Sequence, residues 1–144
     1  LLVRWPKHVK PGISETPVSQ VDFLADFATL LGQSYNHADA PDSENQRNAL
    51  LGRDPVGRSV IVEHAGTLSI VQGNAGEGRW KYIEPSQGAA RSNETNTELG
   101  NNPKPQLYNL TSNVGEKQNV ADQHPDRVRQ MQQLLDRIRN KETQ

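Results

Sequence analysis

The stretch of sequence that decides the fold is Gln106-Leu107-Tyr108-Asn109-Leu110-Thr111-Ser112-Asn113-Val114-Gly115-Glu116-Lys117-Gln118-Asn119-Val120-Ala121. Its apolar start suits a strand, and the Asn and Gly residues that follow suit a turn. A helix is predicted from Pro125 to about Asn140, because proline is well tolerated in a first helical turn. One stripe of this helix is apolar and should lie across a sheet; it consists of Val128, Met131, Leu135 and Ile138.

Three more strands are predicted upstream of that stretch, at residues 59–63, 67–72 and 79–83. The first two are rich in β-branched residues, and a glycine-rich turn that includes Gly76 separates the second from the third. With residues 106–110 they make a four-stranded antiparallel sheet. Strand alternation places Trp80 and Tyr82 on one face of it and Arg79 and Lys81 on the other.

A further helix is predicted to begin at Val21 and end at Leu31, with Ser19 as its N-cap and Gly32 as its stop. Apolar side chains occupy so wide an arc that the helix needs cover on more than one side. The apolar run of Leu1-Leu2-Val3 suits the end of a buried strand.

The remaining segments are polar. Residues 33–58 read as a surface linker with one helical turn near residues 47–51, and residues 85–104 as a mobile segment. The sequence therefore predicts an α+β arrangement in two parts.

Composition excludes several classes of function. The 144 residues include 16 basic and 17 acidic ones, so nothing favours nucleic acid or an anionic membrane surface as a partner. No apolar run approaches the roughly 20 residues that span a bilayer. The chain has no cysteine, and its single methionine is Met131, so residue 1 is no ordinary translation start. We therefore expect a C-terminal fragment of a larger protein.

Three blocks of the chain, at residues 3–32, 57–83 and 107–121, resemble type I sulfatases (arylsulfatases). The stretch quoted first is similar to the closing segment of that family, which reads roughly Leu-Tyr-Asp/Asn-Leu, two variable residues, Asp-Pro, a spacer, Glu, two residues and Asn-Leu/Val. The end of a family β-meander is similar to Gly78-Arg79-Trp80-Lys81-Tyr82-Ile83. A family helix matches at Val21, Asp22, Leu30 and Gly32, but Ala25 and Asp26 stand where Pro-Thr is usual.

The resemblance implies an α/β fold in which residues 1–50 end an alkaline-phosphatase-like sulfatase domain. Residues 51–144 would then form a C-terminal subdomain, a four-stranded antiparallel sheet packed by a terminal helix. It also implies that a missing N-terminal catalytic domain, or an oligomer partner, covers the helix from Val21 to Leu31. Family members are periplasmic or secreted, although nothing in the sequence itself indicates a location.

The resemblance further implies hydrolysis of a sulfate ester, on an aryl sulfate or a sulfated glycan. The family uses a formylglycine, made from Cys or Ser in a Cys/Ser-x-Pro-x-Arg motif, together with a divalent cation, usually calcium. This chain has no such motif. No catalytic residue and no metal ligand are assigned in it, and the fragment alone is predicted to be inactive.

Two residues are candidates for substrate binding. His64 ends a predicted strand and precedes Ala65-Gly66, where a loop can face a neighbouring cleft, and Glu63 precedes it. In sulfatases the C-terminal subdomain walls one side of the substrate pocket. We therefore expect His64, with Glu63 beside it, to contact a sulfated sugar.

Two other functions remain compatible with the sequence. The chain can be a stand-alone glycan-binding or interaction module, in which case its core should be closed. It can also belong to a phosphodiesterase or phosphonate hydrolase of the same fold, which only the missing nucleophile segment would distinguish from a sulfatase.

Overall fold

The computed structural model describes residues 1–74 and 78–141, and the chain divides into two compact units, Leu1–Ser59 and Val60–Gln144. The division between family domains at residues 50 and 51 stays a prediction. Gly76 of the predicted turn lies outside the described residues.

The first unit contains two helices. A 3-10 turn at Gln20–Asp22 leads into α1, Phe23–Leu30, and α2 spans Arg47–Leu50. Gly32 has a φ of +65° and stops α1, because the amide of Gln33 donates to the carbonyl of Ala28 at 2.8 Å across it. The predicted stop is confirmed.

Two details of this unit differ from the predictions. Ser19 makes no side-chain capping bond, since the 3-10 turn intervenes between it and α1. Leu1, Leu2 and Val3 form no strand, and the first two are more than 80% exposed. An apolar triplet alone cannot make a strand, because each strand needs a neighbouring chain to pair its backbone groups.

The face of α1 that is buried in the first unit is polar. Asp22 and Asp26 are 1% and 2% exposed, with Ala25 between them. Asp22 accepts from the amide of Glu44, and Asp26 accepts from the amide of Gln46, at 2.9 and 2.6 Å. The apolar side chains of the helix consequently point the other way and are exposed; they include Val21, Leu24, Phe27 and Leu31.

The second unit is a four-stranded antiparallel sheet in the order β1-β2-β3-β4. The strands are β1, Val60–His64; β2, Leu68–Asn74; β3, Gly78–Ile83; and β4, Gln106–Asn109. The helix α3, Pro125–Lys141, packs on one face through Met131 and Leu135, which are at most 1% exposed. The predicted sheet and terminal helix are confirmed.

Tyr82, Ile70 and Leu107 form the sheet side of this core, with Trp80 packed against it. Trp80 is also in edge contact with His124, and the guanidinium carbon of Arg127 lies 5.2 Å from the Trp80 ring centre. The predicted side assignment of Trp80 and Tyr82 is confirmed.

Residues 85–104 differ from the predicted mobile segment. Arg91 and Glu98 form an isolated antiparallel bridge. Asn101 accepts from the hydroxyl of Ser86 at 2.6 Å and donates to the carbonyl of Ala89 at 2.9 Å. Asn side chains thus add to the backbone hydrogen bonds of this polar segment.

Candidate functional site

The sheet face turned away from α3, hereafter the second face, carries both polar and apolar side chains. The strand register places Glu63, Ser69, Ile83 and Gln106 in one row across it. A second row holds Ile61, Val71, Lys81 and Tyr108.

Lys81 is the cation of the second face that pairs with Glu63 and Glu116. Its Nζ lies 3.0 Å from Oε1 of Glu116 and 3.4 Å from Oε2 of Glu63, and its side chain is 18% exposed. Burial lowers the pKa of Lys81, but the hydrogen bond and the charge of Glu116, with that of Glu63, outweigh burial and raise the pKa overall. Lys81 therefore stays protonated and joins β1 to the loop that carries Glu116.

A cavity of about 340 Å³ lies on the second face beside this ion pair. Its floor is formed by side chains of β3 and β4, and its walls by the chain around residues 98–100 and 114–116. The lining residues are Ile83, Glu98, Gly100, Gln106, Tyr108, Val114, Gly115 and Glu116.

The floor of the cavity is held by two hydrogen bonds. The buried Tyr108 hydroxyl donates to Oε1 of Gln106 at 2.8 Å, and Nε2 of Gln106 donates to the carbonyl of Gly100 at 2.7 Å. Burial raises the pKa of Tyr108, so the phenol remains neutral and continues to donate.

Asn119 holds the family-like tail segment against β4. Its Oδ1 accepts from the amides of Leu107 and Ala121, each at 3.0 Å, and its Nδ2 donates to the carbonyl of Pro105 at 3.4 Å. Asn119 thus binds the backbone on both sides of this segment. The Glu116 carboxylate accepts a hydrogen bond from the side chain of Lys81.

The structure separates the two predicted substrate-binding residues. Both are exposed at the end of β1, but strand alternation places Glu63 on the second face and His64 on the face that packs α3. Ser69 donates to Glu63 at 3.5 Å. One small ligand therefore cannot rest on both side chains at a single sheet surface.

Glu84 does not share a cleft with Glu63, so no pair of carboxylates suited to glycoside cleavage forms here. Glu84 accepts from the amide of Leu68 and the hydroxyl of Thr67, each at 3.1 Å, and from Arg139 of α3 at 2.5 Å. Burial raises the pKa of Glu84, but these hydrogen bonds outweigh burial and leave the pKa lowered.

The described residues do not fit the cofactors that the resemblance implies. No group of three or more His, Asp or Glu side chains within residues 1–74 and 78–141 is placed to hold a metal ion. In the same ranges, no helix combines the length and apolar character of a membrane span. The part of the chain that the structure describes offers binding surfaces but no reactive constellation.

Sequence similarity points to one family. No protein-family model matches the chain. The chain is 44% identical over 142 residues to the N-acetylgalactosamine-6-O-sulfatase of Bacteroides thetaiotaomicron, which covers 97% of the chain and 27% of that protein. The chain matches the C-terminal portion of a sulfatase.

Solved structures agree with this sulfatase match. One, BT33336S-sulf, from work on the metabolism of multiple glycosaminoglycans by Bacteroides thetaiotaomicron, is 44% identical and has a TM-score of 0.86 over 95% of this chain and 28% of its own. A second, Ps i-CgsB, shares the fold at 22% identity, with a TM-score of 0.62 over 92% of this chain and 27% of its own. The chain thus spans about a quarter of the length of each of these proteins.

Lys81, Gln106 and Tyr108 are the site residues that sequence reasoning missed. Alternation within a single strand separates its two faces but does not show which strands are neighbours. Lys81 becomes a partner of Glu63 only through the pairing of β1 with β2 and of β2 with β3.

Proposed function

We propose that the protein to which this chain belongs is a sulfatase that hydrolyses sulfate esters of a glycan. The observation that carries the proposal is 44% identity over 97% of the chain to an N-acetylgalactosamine-6-O-sulfatase. Sulfated N-acetylgalactosamine is therefore the first substrate to test. An aryl sulfate is the second.

The nucleophile and the metal belong to the remainder of the protein in this proposal. There a formylglycine would supply the nucleophile for the sulfate ester, and calcium held by hard oxygen ligands would supply a Lewis acid. The present chain contributes neither group and serves to shape the pocket. This division of labour agrees with the absence of a Cys/Ser-x-Pro-x-Arg motif from the sequence.

The test compares the intact gene product with the 144-residue chain. We expect the intact protein to release sulfate from N-acetylgalactosamine 6-sulfate in the presence of calcium. The chain alone should release none above buffer. Turnover of a phosphodiester but of no sulfate ester by the intact protein would contradict the proposal and favour a phosphodiesterase of the same fold.

His64 is proposed to contact the substrate in the intact enzyme. Its exposure at the end of β1 supports this, because an imidazole there can donate to a sugar hydroxyl. His64→Ala should lower kcat/KM roughly tenfold, the loss of about one hydrogen bond to the substrate. His8 is also exposed, so His8→Ala is the matched control. Equal kcat/KM values for the two variants would refute the role of His64.

Glu63 is proposed to act separately from His64, because the two side chains lie on opposite faces of β1. Its carboxylate is 3.4 Å from Lys81, beside the cavity of the second face. Glu63→Gln should therefore weaken substrate binding without changing the effect of His64→Ala, and a double variant should show additive losses.

The exposed apolar side of α1 is proposed to be covered by the remainder of the sulfatase or by an oligomer partner. Its largest members are Leu24, Phe27 and Leu31, which are 45%, 49% and 71% exposed. Contiguous apolar surface of this kind marks an interaction site in a folded protein.

A further inference from the structure

The cavity of the second face has the size and rigidity of a ligand site. Its volume of about 340 Å³ falls at the lower end of the range for small-molecule pockets, roughly 300–1,000 Å³. The two hydrogen bonds from Tyr108 and Gln106 fix its floor to the wall at Gly100. A ligand would meet a largely preformed surface.

The charges around the cavity select the chemistry of that ligand. The lining residues include two carboxylates, Glu98 and Glu116, and no Lys or Arg. The ammonium group of Lys81 beside them is already paired with Glu116 and Glu63. Ionised carboxylates accept hydrogen bonds and donate none. The cavity therefore favours a ligand with hydroxyl groups that donate hydrogen bonds, and it repels a sulfate or carboxylate group.

The apolar part of the lining favours a sugar over a simple cation. Val114 lies on the cavity wall and is 85% exposed, and the buried side chains of Ile83 and Tyr108 reach the floor. A sugar ring presents C–H groups to such surfaces and hydroxyl groups to carboxylates. A metal ion would use the carboxylates alone and leave the apolar wall in water.

We propose that this cavity binds an uncharged sugar ring, with Glu98 and Glu116 accepting hydrogen bonds from its hydroxyl groups and Val114 contacting its C–H face. The proposal deepens the glycan sulfatase assignment and rests on it only for the identity of the natural ligand, an unsulfated residue of the glycan chain. Lys81 acts as a positioning residue that holds the wall at Glu116.

The experiment titrates the isotope-labelled chain of 144 residues with galactose and, separately, with galactose 6-sulfate, and follows backbone amide shifts by NMR. Galactose should shift the amides of Glu98, Gly100 and Gly115 saturably. Galactose 6-sulfate should bind at least about fivefold more weakly, because its anion meets the carboxylates. Equal binding of the two sugars, or unchanged shifts with galactose, would overturn the proposal.

Three variants make the test specific. Glu98→Gln should weaken galactose binding about fivefold, because the hydrogen bond loses its ionised acceptor. Glu94→Gln makes the same change in the same segment, away from the cavity lining, and should leave binding unaltered. Val114→Asp, which removes the apolar wall and adds negative charge, should weaken binding further.

The outcomes separate this proposal from the sulfatase assignment. Galactose binding without sulfatase activity of the intact protein would leave the cavity proposal standing and the assignment refuted. Sulfate release by the intact protein, with no galactose binding by the chain, would refute the cavity proposal alone. Equal affinities of the Glu98→Gln variant and its parent would also refute it.

Discussion

In the first unit, the buried carboxylate of Asp22 is paired with the guanidinium group of Arg58. Nε of Arg58 lies 2.7 Å from Oδ2 of Asp22, and the same guanidinium also donates to the carbonyl of Asp42. Burial lowers the pKa of Arg58, but its hydrogen bond to Asp22 and the charges of Asp22, Glu44 and Asp42 together outweigh burial and leave the pKa raised. Next to Arg58, Gly57 lets the backbone pass close to Pro17, since a Cβ there would lie 2.3 Å from the carbonyl oxygen of Pro17.

Arg58→Ala is expected to destabilise the protein by about 3 kcal/mol, because it leaves the Asp22 carboxylate buried without its cation. Arg58→Lys should recover part of the loss, since an ammonium group cannot reproduce two parallel bonds. Chemical denaturation measures both. Arg4→Ala, at an exposed position of the same unit, is the control. If Arg4→Ala lost as much stability as Arg58→Ala, the explanation would be contradicted.

The lowered pKa of Glu84 predicts that the folded protein loses stability in acid. Its pKa is lowered from the ordinary value of 4.5 in the folded protein, so the unfolded chain binds the proton more tightly. Glu84 therefore stabilises the folded protein fully at pH values above its pKa in the unfolded chain. This stabilisation is lost as the pH falls through its lower pKa in the folded protein.

The stability difference between the parent and Glu84→Gln should therefore be largest above about pH 5 and shrink towards about pH 3. Thermal unfolding across this range measures it. Glu94→Gln, at an exposed position, provides the baseline. A difference that stays constant with pH would show that Glu84 acts by packing alone.

The pattern of apolar residues correctly predicts the buried face of α3 but not the face of α1 that is buried within its own unit. In α3 the apolar stripe meets the sheet as expected, with Met131 and Leu135 in the core. In α1 the side buried within its own unit carries Asp22 and Asp26, and the apolar residues face outward. Periodicity shows which side chains share a face, but not which face the neighbouring segment will cover.

Met131→Ala is expected to cost about 2–5 kcal/mol, because Met131 is fully buried between α3 and the sheet. Gln132→Ala is the matched control on the exposed side of the same helix and should change stability little. Denaturant midpoints would measure both. Equal midpoints for the two variants would mean that α3 is not docked on the sheet as described.

At the scale of the whole molecule, the main feature is the exposed apolar side of α1, which carries Leu24 and Phe27. Within its own unit the exposed side chains of Leu24 and Phe27 stabilise little. Their contribution depends on cover from elsewhere, which we propose is the upstream part of the sulfatase or a second copy.

Phe27→Glu should therefore leave the stability of the 144-residue chain nearly unchanged, within about 0.5 kcal/mol. In the intact protein the same change should lower Tm by several degrees, because it buries an unpaired charge. Gln33→Glu adds the same charge at an exposed site and is the control. If Phe27→Glu changed the stability of the chain and of the intact protein equally, the proposed cover of α1 would be contradicted. If Tm depended on protein concentration, the cover would be a second copy of the protein.

The sequence by itself determined the four strands, the terminal helix and the likeness to sulfatases. Strand alternation, the Pro125 helix start and the segment from Gln106 to Ala121 are local signals, and local backbone preferences suffice to read them. The strand ends shift by only one or two residues between prediction and structure.

Only the tertiary structure decided which side chains meet. The contacts of Lys81 with Glu63 and Glu116 join residues that are 18 and 35 positions apart in the chain, and the cavity beside them needs β3, β4 and two loops at once. The same holds for Asp22 and Arg58, 36 positions apart. Such contacts depend on strand register and loop closure, which the spacing of residues along a chain does not specify.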